Sequence, residues 1–271
     1  MSSTALRIAI MGATGRMGAA LLEGVLTQPD LALVAALTRA DDPLLGADAA
    51  AHIGRAAGGV PFSSGIAEAV RPADVIVDFS RPEATLELVA ACRQARKPLV
   101  TGTTGLDAAG QRQIDALARK VAVCQAANFS VGVTVCLGLL ETATRILGPE
   151  YDVEIVEAHH RHKVDAPSGT ALMMGRAVAA ARGQDLERVA VFERHGRPGA
   201  RDSAAIGFSA VRGGDVVGDH TVMFLGEGER VEITHRAGSR ANFARGALRA
   251  ARWLAGKPSG RYDMRDVLGL R

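Results

Sequence analysis

The chain has 271 residues, 48% of them apolar and 23% charged, with a net charge of +3. That composition excludes a disordered chain and leaves room for one large domain or two ordinary ones. Aromatics make up only 4%, and Lys and Arg are scattered without a basic block, which argues against a nucleic-acid binder and suits an anionic small molecule.

Cys92, Cys124 and Cys136 are odd in number and lack metal-ligand spacing, so they read as buried free thiols in a reducing compartment. The start, MSSTALRIAIMG, lacks a charged segment followed by a long apolar run. No apolar stretch is expected to reach membrane-spanning length, and the expected location is the cytoplasm.

Residues 1–130 alternate between strand-like and helix-like segments. LRIAIMG (6–12) reads as a strand ending in glycine, RMGAALLEGVLTQ (16–28) as a helix and LALVAALT (31–38) as a strand. DVIVDFS (74–80) is a strand, and Pro82 opens a helix over 82–95. A strand at 98–102, a helix at 108–120 and a strand at 121–128 complete the run. Continuous apolar strands separated by helices predict an α/β fold: a Rossmann-type, doubly wound parallel sheet with ligands beyond the carboxyl ends of its strands.

The pattern changes near residue 130. Residues 131–147 read as one long helix, 152–160 as an alternating strand and 168–181 as a helix. Strands follow at 204–212, 216–225 and 229–236, the last two joined by the turn GEG (226–228). These elements predict a second, mixed α/β domain over 131–240, with the helix at 241–256 returning to the first domain.

Chemistry is concentrated in two places. MGATGRMG (11–18) lies between the first strand and the first helix, with Gly12, Gly15 and Gly18 spaced to let backbone approach a pyrophosphate at the helix N-terminus. The alternative is a glycine-rich turn with no ligand. At the end of the second strand Thr38 stands where an acid would bind the ribose of NAD, and Arg39 follows. An arginine there can pair with a 2′-phosphate, so NADPH is favoured over NADH, with use of both allowed. Asp41 and Asp42 are nearby acids that could serve the ribose instead, and Arg39 could simply be solvated. TGTTG (101–105) and AANFS (126–130) end two further strands and could hold the nicotinamide end, or be ordinary turns.

The second place is EAHHRHKVDAPSGTA (157–171). His160 and His162 would share one face of a strand, with His159 on the other, and two imidazoles plus a distant carboxylate could hold zinc. Spacing supplies no third ligand, and Arg161 and Lys163 add repelling charge. A solvated loop is a second alternative, which poorly explains the continuation DAPSGTA. An anion site explains it: Ser168 caps a helix beginning at Gly169 and Thr170, and Lys163, His160 and Arg240 add positive charge. His159 and Lys163 can deliver protons to the anion left when hydride adds to a conjugated or imine-like carbon.

These residues, together with RGGDVVGDHTVMF (212–224) and YDMRDVLGL (262–270), resemble the dihydrodipicolinate reductase family along nearly the full length. The resemblance implies an N-terminal Rossmann domain for NADPH or NADH and a C-terminal domain for substrate binding and homotetramer assembly. It implies hydride transfer giving tetrahydrodipicolinate in the diaminopimelate route to lysine. His159 and Lys163 would be catalytic. Gly12, Ala13, Thr14, Gly15, Arg16 and Met17 would hold the cofactor with Gly102, Thr103 and Thr104 and with Ala126, Ala127, Asn128 and Phe129. His160, Gly169 and Thr170 would bind the cyclic dicarboxylate, joined by Ser168. Many members carry an acid where Thr38 stands, a departure that agrees with the reading of Arg39. The alternatives are a dinucleotide sensor without catalysis, or another NAD(P)-dependent dehydrogenase such as one working through a cysteine thioester; no metal, nucleic acid or membrane is expected at the site.

Overall fold

A computed structural model describes residues 5–270; the sequence readings for residues 1–4 and 271 lie outside the described residues. The chain divides into two compact units, one running to Val131 and resuming at Arg240, the other spanning Gly132–Ser239. The boundaries differ by one residue at each end from the expected 131 and 240.

The first unit holds β1 (Leu6–Met11), α1 (Arg16–Leu26), β2 (Leu31–Leu37), α2 (Ala49–His52), β3 (Phe62–Ser63), α3 (Ile66–Val70), β4 (Val75–Asp78), α4 (Pro82–Ala95), β5 (Leu99–Thr101), α5 (Ala108–Ala118) and β6 (Ala122–Gln125). The second begins with most of α6 (Val131–Leu147). It continues through β7 (Asp152–His159), α7 (Gly169–Ala181), α8 (Leu186–Val189), β8 (Ala190–Val191), β9 (Ile206–Arg212), β10 (Gly218–Leu225) and β11 (Arg230–Ala237). The chain then returns to the first unit with α9 (Ala241–Leu254), β12 (Gly260–Tyr262) and α10 (Met264–Leu268).

The seven strands of the first unit run parallel in the order β12-β6-β5-β4-β1-β2-β3. Successive side chains go to opposite faces, so both faces must be covered. Ile8 and Ile10 join one core cluster with α1 and α9, and Ala9 and Met11 join the other with α4 and α5. Val75 and Val77 follow the first pair, and Ile76 the second. Strand order reverses at β1, between β2 and β4, which opens a crevice at the carboxyl ends of these strands.

The second unit carries a mixed sheet in the order β11-β10-β7-β9-β8, with β7–β9 and β8–β9 parallel and the other pairs antiparallel. β7 alternates between half-buried and buried residues, and Val153 and Ile155 pack with Leu137 and Leu140 of α6 and Met174 and Val178 of α7.

Two expectations are corrected. α6, with the 3₁₀ turn after it, forms a continuous helical segment over Val131–Glu150 that is long and apolar enough by composition to cross a membrane. Its Val133, Cys136, Leu137 and Leu140 line the second unit's core, while Val135, Leu139 and Ile146 of the same helix are exposed. Strand β7 ends at His159, one residue early, because its pairing with β9 ends at His159 opposite Arg212. His160 to Lys163 form a turn, closed by a hydrogen bond from Lys163 N to His160 O (3.1 Å), so the shared strand face predicted for His160 and His162 does not form. The short elements α2, α3, β3, α8, β8, β12 and α10 were not anticipated, since runs of two to five residues carry no readable period.

Candidate functional site

In the first unit the glycine loop follows β1 directly. Gly12 has φ +78°, and a Cβ there would lie 2.7 Å from the carbonyl oxygen of Phe79. A Cβ on Gly18 would lie 2.3 Å from the carbonyl oxygen of Ala13, so this third glycine lets α1 press against the backbone of the glycine loop. Gly15 precedes α1, and no side chain caps that helix. The positive end of its dipole, with orphan N–H groups, faces the crevice. A cavity of about 650 Å³ opens beside it, bordered by Gly12, Thr14, Gly15, Thr38 and Arg39 and by Phe79 to Arg81. These features fit the phosphates and ribose of a dinucleotide.

The acids of the loop after β2 have defined partners. The Thr14 and Thr38 hydroxyls lie 2.8 and 2.5 Å from Asp42 Oδ2, and Leu44 N donates to Asp42 Oδ1 at 3.0 Å. The hydrogen bonds from Thr38, Leu44 and Thr14 hold the Asp42 carboxyl below its usual range. Asp42 is thereby engaged in ordering its own loop. Arg39 is exposed at the rim, 3.6 Å from Asp41, with its guanidinium available to an anion.

The predicted loops lie at the ends of β5 and β6, across β4 from the glycine loop. Gly102 is half-buried, Thr103 buried and Thr104 exposed; Ala126 and Asn128 are half-buried and Ala127 exposed. Ala13 and Phe129 are core residues, 0% and 1% exposed, so neither presents a side chain to a cofactor, and the neighbouring loop residues form the accessible surface. Arg16 is exposed and Met17 half-buried on the first turn of α1.

Asp78, at the end of β4, was missed. It is fully buried and its carboxylate lies 2.7, 2.8 and 3.1 Å from the hydroxyls of Thr85, Thr101 and Thr103, with Ser80 Oγ at 2.6 Å and Ser80 N at 3.1 Å. This one side chain ties the 79–81 turn to the Gly102–Thr104 loop. The available signal was an acid ending an otherwise apolar strand.

In the second unit His159 is the last residue of β7, 8% exposed. Its Nδ1 lies 2.6 Å from Oε2 of Glu157, which is 1% exposed. Arg212, at the end of β9, donates to both Glu157 oxygens at 2.7 Å, and Ser168 N donates to Oε1 at 3.0 Å. Burial pushes the Glu157 carboxyl up, but the bonds from Arg212 and His159 outweigh it and hold the group below its ordinary value. The hydrogen bonds to Glu157 in turn shift Arg212 up.

Ser168 caps α7, accepting from Ala171 N at 3.1 Å, and its hydroxyl lies 2.8 Å from Nε2 of His220. Burial pushes the His220 imidazole down to about 4, so it is neutral at pH 7. Gly169 is exposed and Thr170 half-buried in the first turn of α7, whose dipole favours an anion. Lys163 holds both oxygens of Asp165, at 2.8 and 2.9 Å, and that contact depresses the Asp165 carboxyl. Half-buried His160 follows β7, with its N–H on Val216 O (2.7 Å). Arg161 and His162 are exposed. Arg240, expected beside this group, belongs to the first unit as the residue before α9. Glu157, Arg212 and His220 were missed; Glu157 opens the very motif that was read for its histidines.

All three cysteines are buried free thiols, and burial pushes Cys92 and Cys124 up to about 12. At pH 7 the thiolate of either is on the order of one part in 10⁵, too little for a thioester route.

The family model described as dihydrodipicolinate reductase, N-terminus, matches residues 6–129, and that of the C-terminus matches residues 132–268. The chain is 56% identical over 265 residues to a 4-hydroxy-tetrahydrodipicolinate reductase of Thiobacillus denitrificans, covering 98% of this chain and 99% of the relative. A second relative of the same name, from Nitrosospira multiformis, is 54% identical over 266 residues, 98% of each chain. The solved dipicolinate-bound dihydrodipicolinate reductase from Paenisporosarcina superposes with a TM-score of 0.77 at 25% identity, over 96% of this chain and 98% of that one. Both halves of the family pattern are thus present in order and nearly end to end, and the chain belongs to the dihydrodipicolinate reductase family.

Proposed function

We propose that the glycine loop and the His159–Lys163 turn divide one reaction between them, the first holding a reduced nicotinamide cofactor and the second seating and protonating a cyclic dicarboxylate. The overall activity is NAD(P)H-dependent reduction of 4-hydroxy-tetrahydrodipicolinate, with loss of water, to tetrahydrodipicolinate in the diaminopimelate route to lysine. The bound cofactor supplies a hydride. Gly12 to Met17 take the pyrophosphate, while Gly102 to Thr104 and Ala126 to Phe129 take the nicotinamide side. Arg39, with Asp42 withdrawn into its own loop, favours the 2′-phosphate of NADPH.

On the substrate side, Ser168, Gly169 and Thr170 receive one carboxylate at the start of α7, and His160 adds a donor. His159 offers Nε2, since its Nδ1 is held by Glu157. Lys163 exchanges Asp165 for the substrate and delivers the proton that balances the transferred hydride. β11 forms an edge of the second sheet, and we assign that sheet to subunit association in a homotetramer. The expected location is the cytoplasm.

The carrying observation is the cluster of His159, Glu157 and Ser168 within one hydrogen-bonded group beside Lys163. The test is NADPH oxidation with the condensation product of pyruvate and aspartate-semialdehyde. His159→Ala and Lys163→Ala should each lower kcat by roughly 10²–10⁴-fold while cofactor affinity stays within about two-fold. Full turnover in either variant removes that residue from the chemistry; cofactor binding by the unaltered enzyme without any turnover would favour the sensor.

A further inference from the structure

We propose that Glu157 is the positioning residue of this reaction, its one carboxylate setting which nitrogen of His159 works and fastening that imidazole to the start of α7. The inference rests on the role given to His159 above. Each oxygen of Glu157 accepts two donors. Oε2 takes His159 Nδ1 (2.6 Å) and one Arg212 nitrogen (2.7 Å); Oε1 takes the other Arg212 nitrogen (2.7 Å) and Ser168 N (3.0 Å). Arg212 and a backbone N–H can only donate, so they demand acceptors at both oxygens. The imidazole alone has a choice of tautomer. Facing a carboxylate that is also held by a guanidinium, it donates from Nδ1, and Nε2 is left for the substrate.

The surroundings keep that nitrogen clear. A Cβ on Gly218 would lie 2.9 Å from His159 Nε2, so glycine at the start of β10 preserves access to it. The His220 ring meets the His159 ring edge-on, with centroids 5.1 Å apart, and Ser168 Oγ bridges to His220. Four elements, β7, β9, β10 and the N-terminus of α7, therefore fix one imidazole.

Glu157→Gln tests the arrangement because it changes one acceptor into an amide NH₂ at almost constant shape. Placed at Oε1, that group would face two obligate donors, Arg212 and Ser168 N. Placed at Oε2, it faces Arg212 and an imidazole that can switch to accepting at Nδ1. The variant should therefore carry its imidazole proton on Nε2. This is the logic by which a triad carboxylate sets its histidine.

The experiment is ¹⁵N NMR of histidine-labelled protein at a pH where the ring is neutral, paired with steady-state kinetics. The unaltered enzyme should show His159 protonated at Nδ1. Glu157→Gln should show it protonated at Nε2, with kcat lowered roughly 10²–10⁴-fold and the KM for NADPH unchanged. A neutral His159 protonated at Nε2 in the unaltered enzyme overturns the inference without any variant, so a Gln protein that fails to fold does not shield it. If His159→Ala abolishes turnover while Glu157→Gln keeps it within about two-fold, the inference falls and the functional reading stands. Retained turnover in His159→Ala overturns both.

Discussion

Asp78 in the first unit and Glu157 in the second are both buried carboxylates, and they are satisfied by different partners. Asp78 is met by hydroxyls of Ser80, Thr85, Thr101 and Thr103 and by one backbone N–H. Glu157 is met by a guanidinium, an imidazole and one backbone N–H. Hydroxyl donors rotate to suit and carry no proton that moves at neutral pH, so Asp78 orders loops. An imidazole changes charge and tautomer with its partner, which is the basis of the proton-positioning role proposed for Glu157. In the proposed division of labour the first unit binds without proton chemistry, and the second carries that chemistry.

The largest effect that separates the two should come from Asp78→Ala. It removes the acceptor shared by the Thr85, Thr101 and Thr103 hydroxyls and leaves that of Thr101 buried without one, at a cost of about 1–3 kcal/mol. Thermal unfolding should show that loss, and the KM for NADPH should rise as the Gly102–Thr104 loop is freed. The pH profile of kcat should keep its shape. A changed profile with unchanged cofactor KM would erase the proposed division of labour.

Acid stability sharpens the contrast from the other side. His220 is neutral in the fold, its value lowered from 6.5 to about 4. The unfolded chain therefore takes up a proton first, and stability falls as pH drops from 6.5 toward 4. At pH 5 the loss relative to pH 7 is about 2 kcal/mol. Glu157 acts lower: its folded value lies below the ordinary 4.5, so its contribution is complete above 4.5 and is lost as pH falls through the folded value. Denaturant unfolding at pH 7 and pH 5 should show the His220 loss in the unaltered protein and most of it removed in His220→Asn. Equal pH sensitivity in both proteins would contradict this assignment.

The fold was legible wherever a period or a punctuating residue was long enough to read. Continuous apolar strands announced the parallel sheet, and Pro82 and Ser168 marked the starts of α4 and α7. Fragments such as β3 and β12 were not readable, because they exist only by pairing with β2 and β6. In the site, the glycine loop and the His159–Ser168 stretch were visible as contiguous motifs. Arg212 and His220 were not, since they reach Glu157 and Ser168 through strand pairing across 55 and 52 residues of chain. Asp42 shows the same limit. Its carboxylate looked able to serve a ribose, and only the structure shows it bound to Thr14 and Thr38.

The smallest effect concerns cofactor choice. Arg39→Ala should lower the ratio of kcat/KM with NADPH to that with NADH by about ten-fold, the equivalent of one charged hydrogen bond. Because Arg39 belongs to the unit to which the proposal gives binding alone, the pH profile with either cofactor should not move. An unchanged ratio would leave Arg39 as a solvated side chain.

In the proposed reaction the second unit seats a dicarboxylate at the start of α7 beside its two proton carriers. A crystal structure of the enzyme with NADPH and pyridine-2,6-dicarboxylate tests it most directly. One carboxylate is expected on the backbone of Gly169 and Thr170, with His159 Nε2 and Lys163 Nζ within hydrogen-bond reach of the ligand and the nicotinamide against its ring. A dicarboxylate seated elsewhere, with either side chain beyond reach of it, would contradict the account.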